Sequence, residues 1–294
     1  MPSAQAEKLI RLLFERRPPP GPLDVEKLRQ GMESTALPVA DDVTVSPIQL
    51  GGVEVEVITA PNADSGRKIL YFHGGGYVMG SPRTHRKLAG DLSRAAQAQV
   101  VLPDYPLAPE APFPAALNAA TTLYESIIEG TSSRRVSIAG DSAGGGLTLA
   151  VLLNIRNSDL PVPGAAALIS PWLDMTNDKR IDPALVARDP IVAPADMAQM
   201  SSWYLGSASP TSPFASPGLA DLTGLPPILV QVGTAEILLA ESRALAERAK
   251  QFGISLELEE WPDMVHVWHV FAGRVPEATE AVERLGAFLR DHTA

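Results

Sequence analysis

The residues best placed for chemistry are Gly140-Asp141-Ser142-Ala143-Gly144. They follow a short β-branched run, Val136-Ser137-Ile138-Ala139, and precede an apolar helical pattern from Leu147 to Ile155. A Gly-x-Ser-x-Gly between strand and helix is a nucleophile elbow, which holds a serine hydroxyl at the apex of a sharp, strained turn. Gly140 and Gly144 mark where the chain passes too close to itself for a Cβ, and Gly145 and Gly146 let the helix approach the sheet. The helix N-terminus then points its N–H groups at developing negative charge. A second cluster, His73-Gly74-Gly75-Gly76, ends the apolar run Ile69-Leu70-Tyr71-Phe72. Acyl transfer needs backbone N–H donors around a tetrahedral oxyanion, and side chains would obstruct them. The N–H groups of Gly74, Gly75 and Ala143 are the expected donors, with the His73 ring organising the loop.

A serine nucleophile needs a base, and an acid to orient it, in the chain order serine, acid, histidine. Pro227 to Gly233 reads as a late strand, and the turn after it carries Glu236. Glu236 is the expected acid; the bland alternative is an acidic residue favouring the dipole of a helix over 238–250. Asp174, after an earlier strand over 165–170, is the runner-up. Glu241 falls on the helix itself, and Asp263 reads as a turn residue close to the histidine. Among five histidines, His266 is the expected base. It follows the alternating pattern from Ser255 to Trp261 and opens the last helical region. His269, one turn further on, is its rival and otherwise packs or caps locally. His85 comes too early in the order, and His292 lies near the terminus.

These groups need a scaffold. Strand patterns at about 68–73, 99–104, 135–140, 165–170, 227–233 and 254–261 alternate with helical ones, such as Thr84 to Ala96 and Pro114 to Glu129. That alternation predicts an α/β architecture: a mostly parallel sheet with helices on both faces and right-handed crossovers. Two earlier strands, Val43 to Leu50 and Val53 to Ala60, form a hairpin about Gly51-Gly52. Before them, 4–17 and 23–35 read as helices separated by Pro18-Pro19-Pro20-Gly21-Pro22, because proline stops the first and stiffens the link. Their apolar stripes suggest a cap over the active-site mouth, with packing against the side of the sheet as the alternative. Between Asp174 and Pro226 the alternation lapses into a proline-rich insertion, in which Met197, Met200, Trp203, Tyr204 and Leu205 face substrate or core. The expected organisation is a helical cap segment over 1–40 and a catalytic domain over 41–294, with a cap insertion at about 175–225.

The two glycine motifs, extended to Tyr77 and Gly145, resemble those of the hormone-sensitive-lipase-like group of microbial carboxylesterases, in the α/β-hydrolase superfamily. Asp104-Tyr105-Pro106-Leu107-Ala108-Pro109-Glu110, continuing through Pro112-Phe113-Pro114-Ala115, resembles the segment after that group's fourth strand. Asp189-Pro190-Ile191-Val192 resembles its internal cap segment, and Pro262-Asp263-Met264-Val265-His266 its histidine loop. The resemblance covers nearly the whole chain. It implies an α/β-hydrolase fold with a sheet of about eight strands and a helical cap. It also implies a serine carboxylesterase acting on short- to medium-chain esters without a cofactor, often as a homodimer. Two departures stand out: Pro106 occupies a position where arginine is usual, and most members carry aspartate where Glu236 stands.

Composition narrows the alternatives. Lys+Arg 24 against Asp+Glu 34 gives a net charge of −10, which argues against binding a phosphate backbone. With no cysteine, thiol nucleophiles, disulfides and thiolate metal sites are excluded. No metal-ligand spacing, dinucleotide fingerprint or phosphate-loop lysine is present. Charges interrupt the N-terminal helix, so a signal peptide is not expected, and no stretch is long enough for stable membrane insertion. The expectation is a cytoplasmic enzyme with a small-molecule ester substrate and no nucleic-acid partner. A non-catalytic binder on the same fold is the rival reading.

Overall fold

The computed structural model describes residues 2–17, 21–176 and 181–293. Two helices come first, α1 (Ala4–Glu15) and α2 (Val25–Ser34), capped by the Ser3 and Asp24 side chains. Such caps satisfy N–H groups that have no partner within the helix. The hairpin follows as β1 (Thr44–Leu50) and β2 (Val53–Thr59), turning at Gly51 and Gly52 with φ of 57° and 78°. Then strands and helices alternate: β3 (Asp64–Phe72), α3 (Pro82–Ala96), β4 (Ala98–Pro103), α4 (Ala115–Gly130), β5 (Val136–Asp141), α5 (Ala143–Asn157) and β6 (Ala165–Ile169). The insertion holds α6 (Pro183–Arg188) and α7 (Pro194–Leu205). The alternation resumes with β7 (Ile228–Gly233), α8 (Leu239–Phe252), β8 (Leu256–Trp261) and α9 (Pro276–His292). The expected Pro18-Pro19-Pro20 linker and part of the insertion, 177–180, lie outside the described residues.

The strands form one eight-stranded sheet in the order β1-β2-β4-β3-β5-β6-β7-β8. β1 and β2 are antiparallel to their neighbours, and every pairing from β4 to β8 is parallel. Side chains alternate across a strand, and both faces are apolar here. Leu70, Phe72, Ile138, Leu168 and Val230 point into one core layer with α4, α5 and α8. Ile69, Tyr71, Ala139, Ala167 and Leu229 point into the other, with α3 and α9. Each fully buried leucine in these layers, such as Leu152 or Leu285, contributes about 1.5–3 kcal/mol by leaving water.

Parallel strands share a direction, so the C-terminal ends of β3, β5, β6, β7 and β8 open at one edge. The two N-terminal helices have different fates there. Ser3 bonds to Glu277 on α9 through its N–H (2.5 Å) and Oγ (2.8 Å), and Leu9, Ile10 and Leu13 pack into the α3/α9 layer. Thus α1 packs along the side of the sheet. α2 turns towards the insertion and the strand ends: the Leu23 N–H donates to Gln199 Oε1 on α7 at 3.1 Å, and Val25 packs into the opposite layer.

Candidate active site

Ser142 lies between the last residue of β5 and the first of α5, with φ 54° and ψ −120°. A non-glycine residue in the left-handed region costs of order 1–3 kcal/mol and persists only where its surroundings enforce it. The enforcement is visible. The Ser142 N–H donates to Ile169 O at 2.8 Å, and its carbonyl accepts from Trp172 N–H at 2.9 Å and Gly146 N–H at 3.1 Å. A Cβ on Gly140 would overlap the Gly144 carbonyl, and one on Gly144 would overlap Phe72 O. These two glycines are therefore required by contact, as the spacing of the motif suggests.

The His73-Gly74-Gly75-Gly76 loop leans on the elbow: a Cβ on Gly74 would fall inside the Asp141 carboxylate. A trans peptide points its C=O and N–H in opposite directions, so fixing one aims the other. The His73 carbonyl accepts from Tyr105 OH at 2.7 Å, which aims the Gly74 N–H away from Tyr105. The Gly74 carbonyl faces His73 Nδ1 at 2.8 Å, which aims the Gly75 N–H the other way. The His73 ring stacks on Tyr105 at 4.3 Å between centroids. Burial, then the neighbouring His85, pushes the His73 pKa down to about 3, so this ring is neutral and structural. Gly75, Gly76 and Tyr77 follow with φ of 117°, 63° and 63°.

Glu236 and His266 meet: His266 Nδ1 donates to Glu236 Oε2 at 2.7 Å. The other carboxylate oxygen accepts from Gly233 N–H and Ser170 Oγ, both at 2.7 Å. Ser170 Oγ in turn accepts from Val267 N–H at 3.2 Å. The segment 169–172 is therefore a hub. Its Ile169 and Trp172 hold the Ser142 backbone, while Ser170 holds the Glu236 carboxylate and the loop that carries His266. With Nδ1–H committed to a carboxylate, the imidazole keeps its lone pair on Nε2. Burial opposes charging His266, but the Glu236 hydrogen bond and the charges of Glu236, Asp189 and Asp141 outweigh it, so the pKa is raised above 6.5.

The rival residues have other partners. Asp263, at φ 60°, pairs with Arg188 at 2.6 Å. Glu241 accepts from Leu173 N–H at 2.6 Å, and Asp174 accepts from the Thr176 N–H and hydroxyl. His269 is fully buried, with Nε2 on Gln231 Oε1 at 2.7 Å and its ring 4.0 Å from Trp268. His292 bonds Phe288 O within α9. His85 lies 3.3 Å from Asp141, which also accepts from Tyr71 OH at 2.8 Å. Burial would raise the Asp141 pKa, but His85 and Tyr71 hold it below the usual carboxylate value.

Three residues take part in ways that the sequence did not specify. Ser170 is one, although a polar residue ending an apolar strand before Pro171 is a usable signal. Asp189 is another: it is buried, and its oxygens accept from Ile191, Val192 and Ile237 N–H groups, fastening the insertion to the residue after Glu236. Tyr204 of α7 is the third; its ring stacks on Tyr77 at 3.7 Å, ending as core rather than pocket lining. Met200 lies directly over Gly76. Among the described residues, no group of three or more His, Asp and Glu side chains is arranged to hold a metal ion.

This arrangement has close parallels. Residues 69–270 match a family model described as the alpha/beta hydrolase fold. An acetyl-hydrolase of Streptomyces hygroscopicus is 41% identical over 269 residues, covering 91% of this chain and 88% of the relative. An esterase of Acinetobacter venetianus is 35% identical over 248 residues, covering 84% and 82%. The crystal structure of EstE5 soaked with p-nitrophenyl butyrate superposes with a TM-score of 0.96 at 43% identity, covering 99% of each chain. An esterase from the bacterial hormone-sensitive lipase family superposes at 0.95 with 40% identity over the whole of both chains. This chain belongs to the α/β-hydrolase family, in its hormone-sensitive-lipase-like branch of carboxylesterases.

Proposed function

We propose that this carboxylesterase works by two-step acyl transfer on Ser142, with His266 as base and Glu236 as the acid that orients it. The observation that carries the assignment is the 2.7 Å bond from His266 Nδ1 to Glu236, anchored through Ser170 to the segment that holds the strained Ser142 backbone. His266 Nε2 takes the hydroxyl proton as Oγ attacks the ester carbonyl. The Gly74, Gly75 and Ala143 N–H groups receive the oxyanion; losing one such donor costs about 10²–10³-fold in rate. His266 protonates the departing alcohol, and water then repeats the sequence on the acyl-enzyme. In this reading the cap is formed by about 175–225 with the α2 part of segment 1–40, supported by the Leu23–Gln199 bond and by Met200 over Gly76, while α1 stays on the side of the sheet.

The substrate class in this proposal is a small neutral ester with a short or medium acyl chain. The supporting features are the apolar Met200 side chain over Gly76 and a net charge that disfavours anionic polymers. Among the described residues, no helix is long and apolar enough to cross a membrane. A cytoplasmic location and a homodimer along β8, which ends the sheet, belong to the same proposal. The test is Ser142→Ala: hydrolysis of p-nitrophenyl butyrate and labelling by an organophosphonate should both vanish. Retained hydrolysis would refute the serine assignment, and wild-type protein that never labels would favour a binder. A panel of esters with increasing acyl length, scored by kcat/KM, tests the chain-length part.

A further inference from the structure

Arg29 sits on α2, outside both glycine motifs, yet its guanidinium reaches the loop that follows the second one. Nε donates to Val78 O at 2.9 Å, and NH2 donates to Ala108 O at 3.0 Å. The same group forks onto Glu110, NH1 to Oε1 at 2.8 Å and NH2 to Oε2 at 2.6 Å. Arginine presents its donors in a planar fork, so one side chain can fix two backbone carbonyls and a carboxylate at once. The two carbonyls lie on segments already joined, since the Ala108 N–H donates to Tyr77 O at 2.9 Å. The guanidinium ties the same two segments together a second time. Glu110 thus takes its cation from the N-terminal helix, 81 residues away in the chain.

The loop it closes is under strain. Gly75, Gly76 and Tyr77 all have positive φ, and Tyr77 is not glycine. A tyrosine at positive φ persists only if its surroundings over-determine it. On the upstream side, Tyr105 and the His73 ring aim the Gly74 and Gly75 N–H groups. On the downstream side, Tyr77 stacks on Tyr204, Ala108 holds Tyr77 O, and Arg29 holds Val78 O. Glu33, one turn along α2, adds bonds to Ser81 Oγ and to Arg83 at 3.1 Å.

We propose that Arg29 is a positioning residue for the oxyanion loop, coupling the N-terminal helix pair to the aim of the Gly74 and Gly75 N–H groups. This rests on the assignment of those groups as oxyanion donors. Donors that are correctly aimed stabilise charge present only in the transition state, so loosening them lowers kcat and leaves ground-state binding nearly unchanged. Among the described residues the Glu110 side chain bonds to Arg29, and an exposed ion pair contributes little by itself.

The experiment is steady-state kinetics on p-nitrophenyl butyrate for Arg29→Met, Arg29→Lys, Glu110→Gln and Ser142→Ala, with thermal melts of each. Arg29→Met should lower kcat about 10- to 100-fold, below the effect of deleting a donor outright, with KM changed less than about threefold. Arg29→Lys keeps a single cationic donor and should recover part of kcat, whereas Glu110→Gln should stay near wild type. Organophosphonate labelling should slow in parallel with kcat. Arg29→Met with wild-type kcat, a change confined to KM, or a Glu110→Gln loss equal to that of Arg29→Met would overturn the proposal. If Arg29→Met fails to fold, Arg29→Lys decides: wild-type kcat and labelling rate with that fork broken would count against positioning. Ser142→Ala separates the two levels, because an active Ser142→Ala would remove the underlying assignment, whereas an inactive one beside an unimpaired Arg29→Met removes only the role of Arg29.

Discussion

His266 and His269 are three residues apart in the chain and both are buried, each with a hydrogen bond of 2.7 Å to a side chain. Their chemistry is opposite. His266 faces a carboxylate, and its pKa rises despite burial. His269 faces the neutral amide of Gln231, and burial drives its pKa down to about 3. Burial by itself suppresses protonation and makes a poor proton acceptor; a buried carboxylate restores basicity and sets the tautomer. The surroundings differ for a topological reason. Glu236 is in the loop beyond β7, at the open ends of the parallel strands, whereas Gln231 is within β7 and its amide is consumed by Glu259 and Ala281 O.

The contrast can be broken most severely at Glu236. Glu236→Gln keeps the shape and removes the charge, so kcat should fall about 10³–10⁴-fold, as when a triad acid becomes an amide. The sign of the pH effect also follows. Because His266 is raised, the neutral base accumulates only above 6.5, and the acid limb of kcat/KM should lie there. Residual activity of Glu236→Gln should show that limb moved to lower pH; an unmoved limb would mean that His266 does not set it. His269→Gln should leave kcat near wild type but cost of order 1–3 kcal/mol by disturbing a buried hydrogen bond. Its pH signature is distinctive. A folded pKa of about 3 lies below the unfolded 6.5, so stability is complete above about 6.5 and falls as acid draws protons onto the unfolded chain. Chemical denaturation of His269→Gln between pH 3 and 6.5 should show a shallower loss, with His73 still contributing.

Asp189→Asn should be milder for chemistry. It removes one of the charges that raise His266, so the acid limb should move down slightly, and one N–H among Ile191, Val192 and Ile237 loses its acceptor. A limb that moves up would contradict the electrostatic account. The smallest effect belongs to Asp174→Asn, whose bonds to Thr176 are local; kcat should change by less than a few-fold. A larger loss there than in Glu236→Gln would transfer the acid role to Asp174.

From residue order alone came the alternation of strands and helices, the hairpin at Gly51-Gly52 and the two glycine motifs, because each is a local demand on backbone geometry. Ser142, Gly74, Gly75, Glu236 and His266 became the candidates for the same reason: motif, strand end and chain order are one-dimensional facts. Element ends were less so, as β3 begins at Asp64, ahead of the apolar run, because its first residues are exposed. Packing decided the rest. Nothing near Ser170 announces that its hydroxyl bridges residues 236 and 267, and nothing near Arg29 announces a carbonyl 49 residues away. Nor does the sequence distinguish α1, fastened along α9, from α2, fastened to the loop above the strand ends. Those contacts join segments far apart in the chain, and hydrogen-bond partners at long separation leave no periodicity or spacing to read.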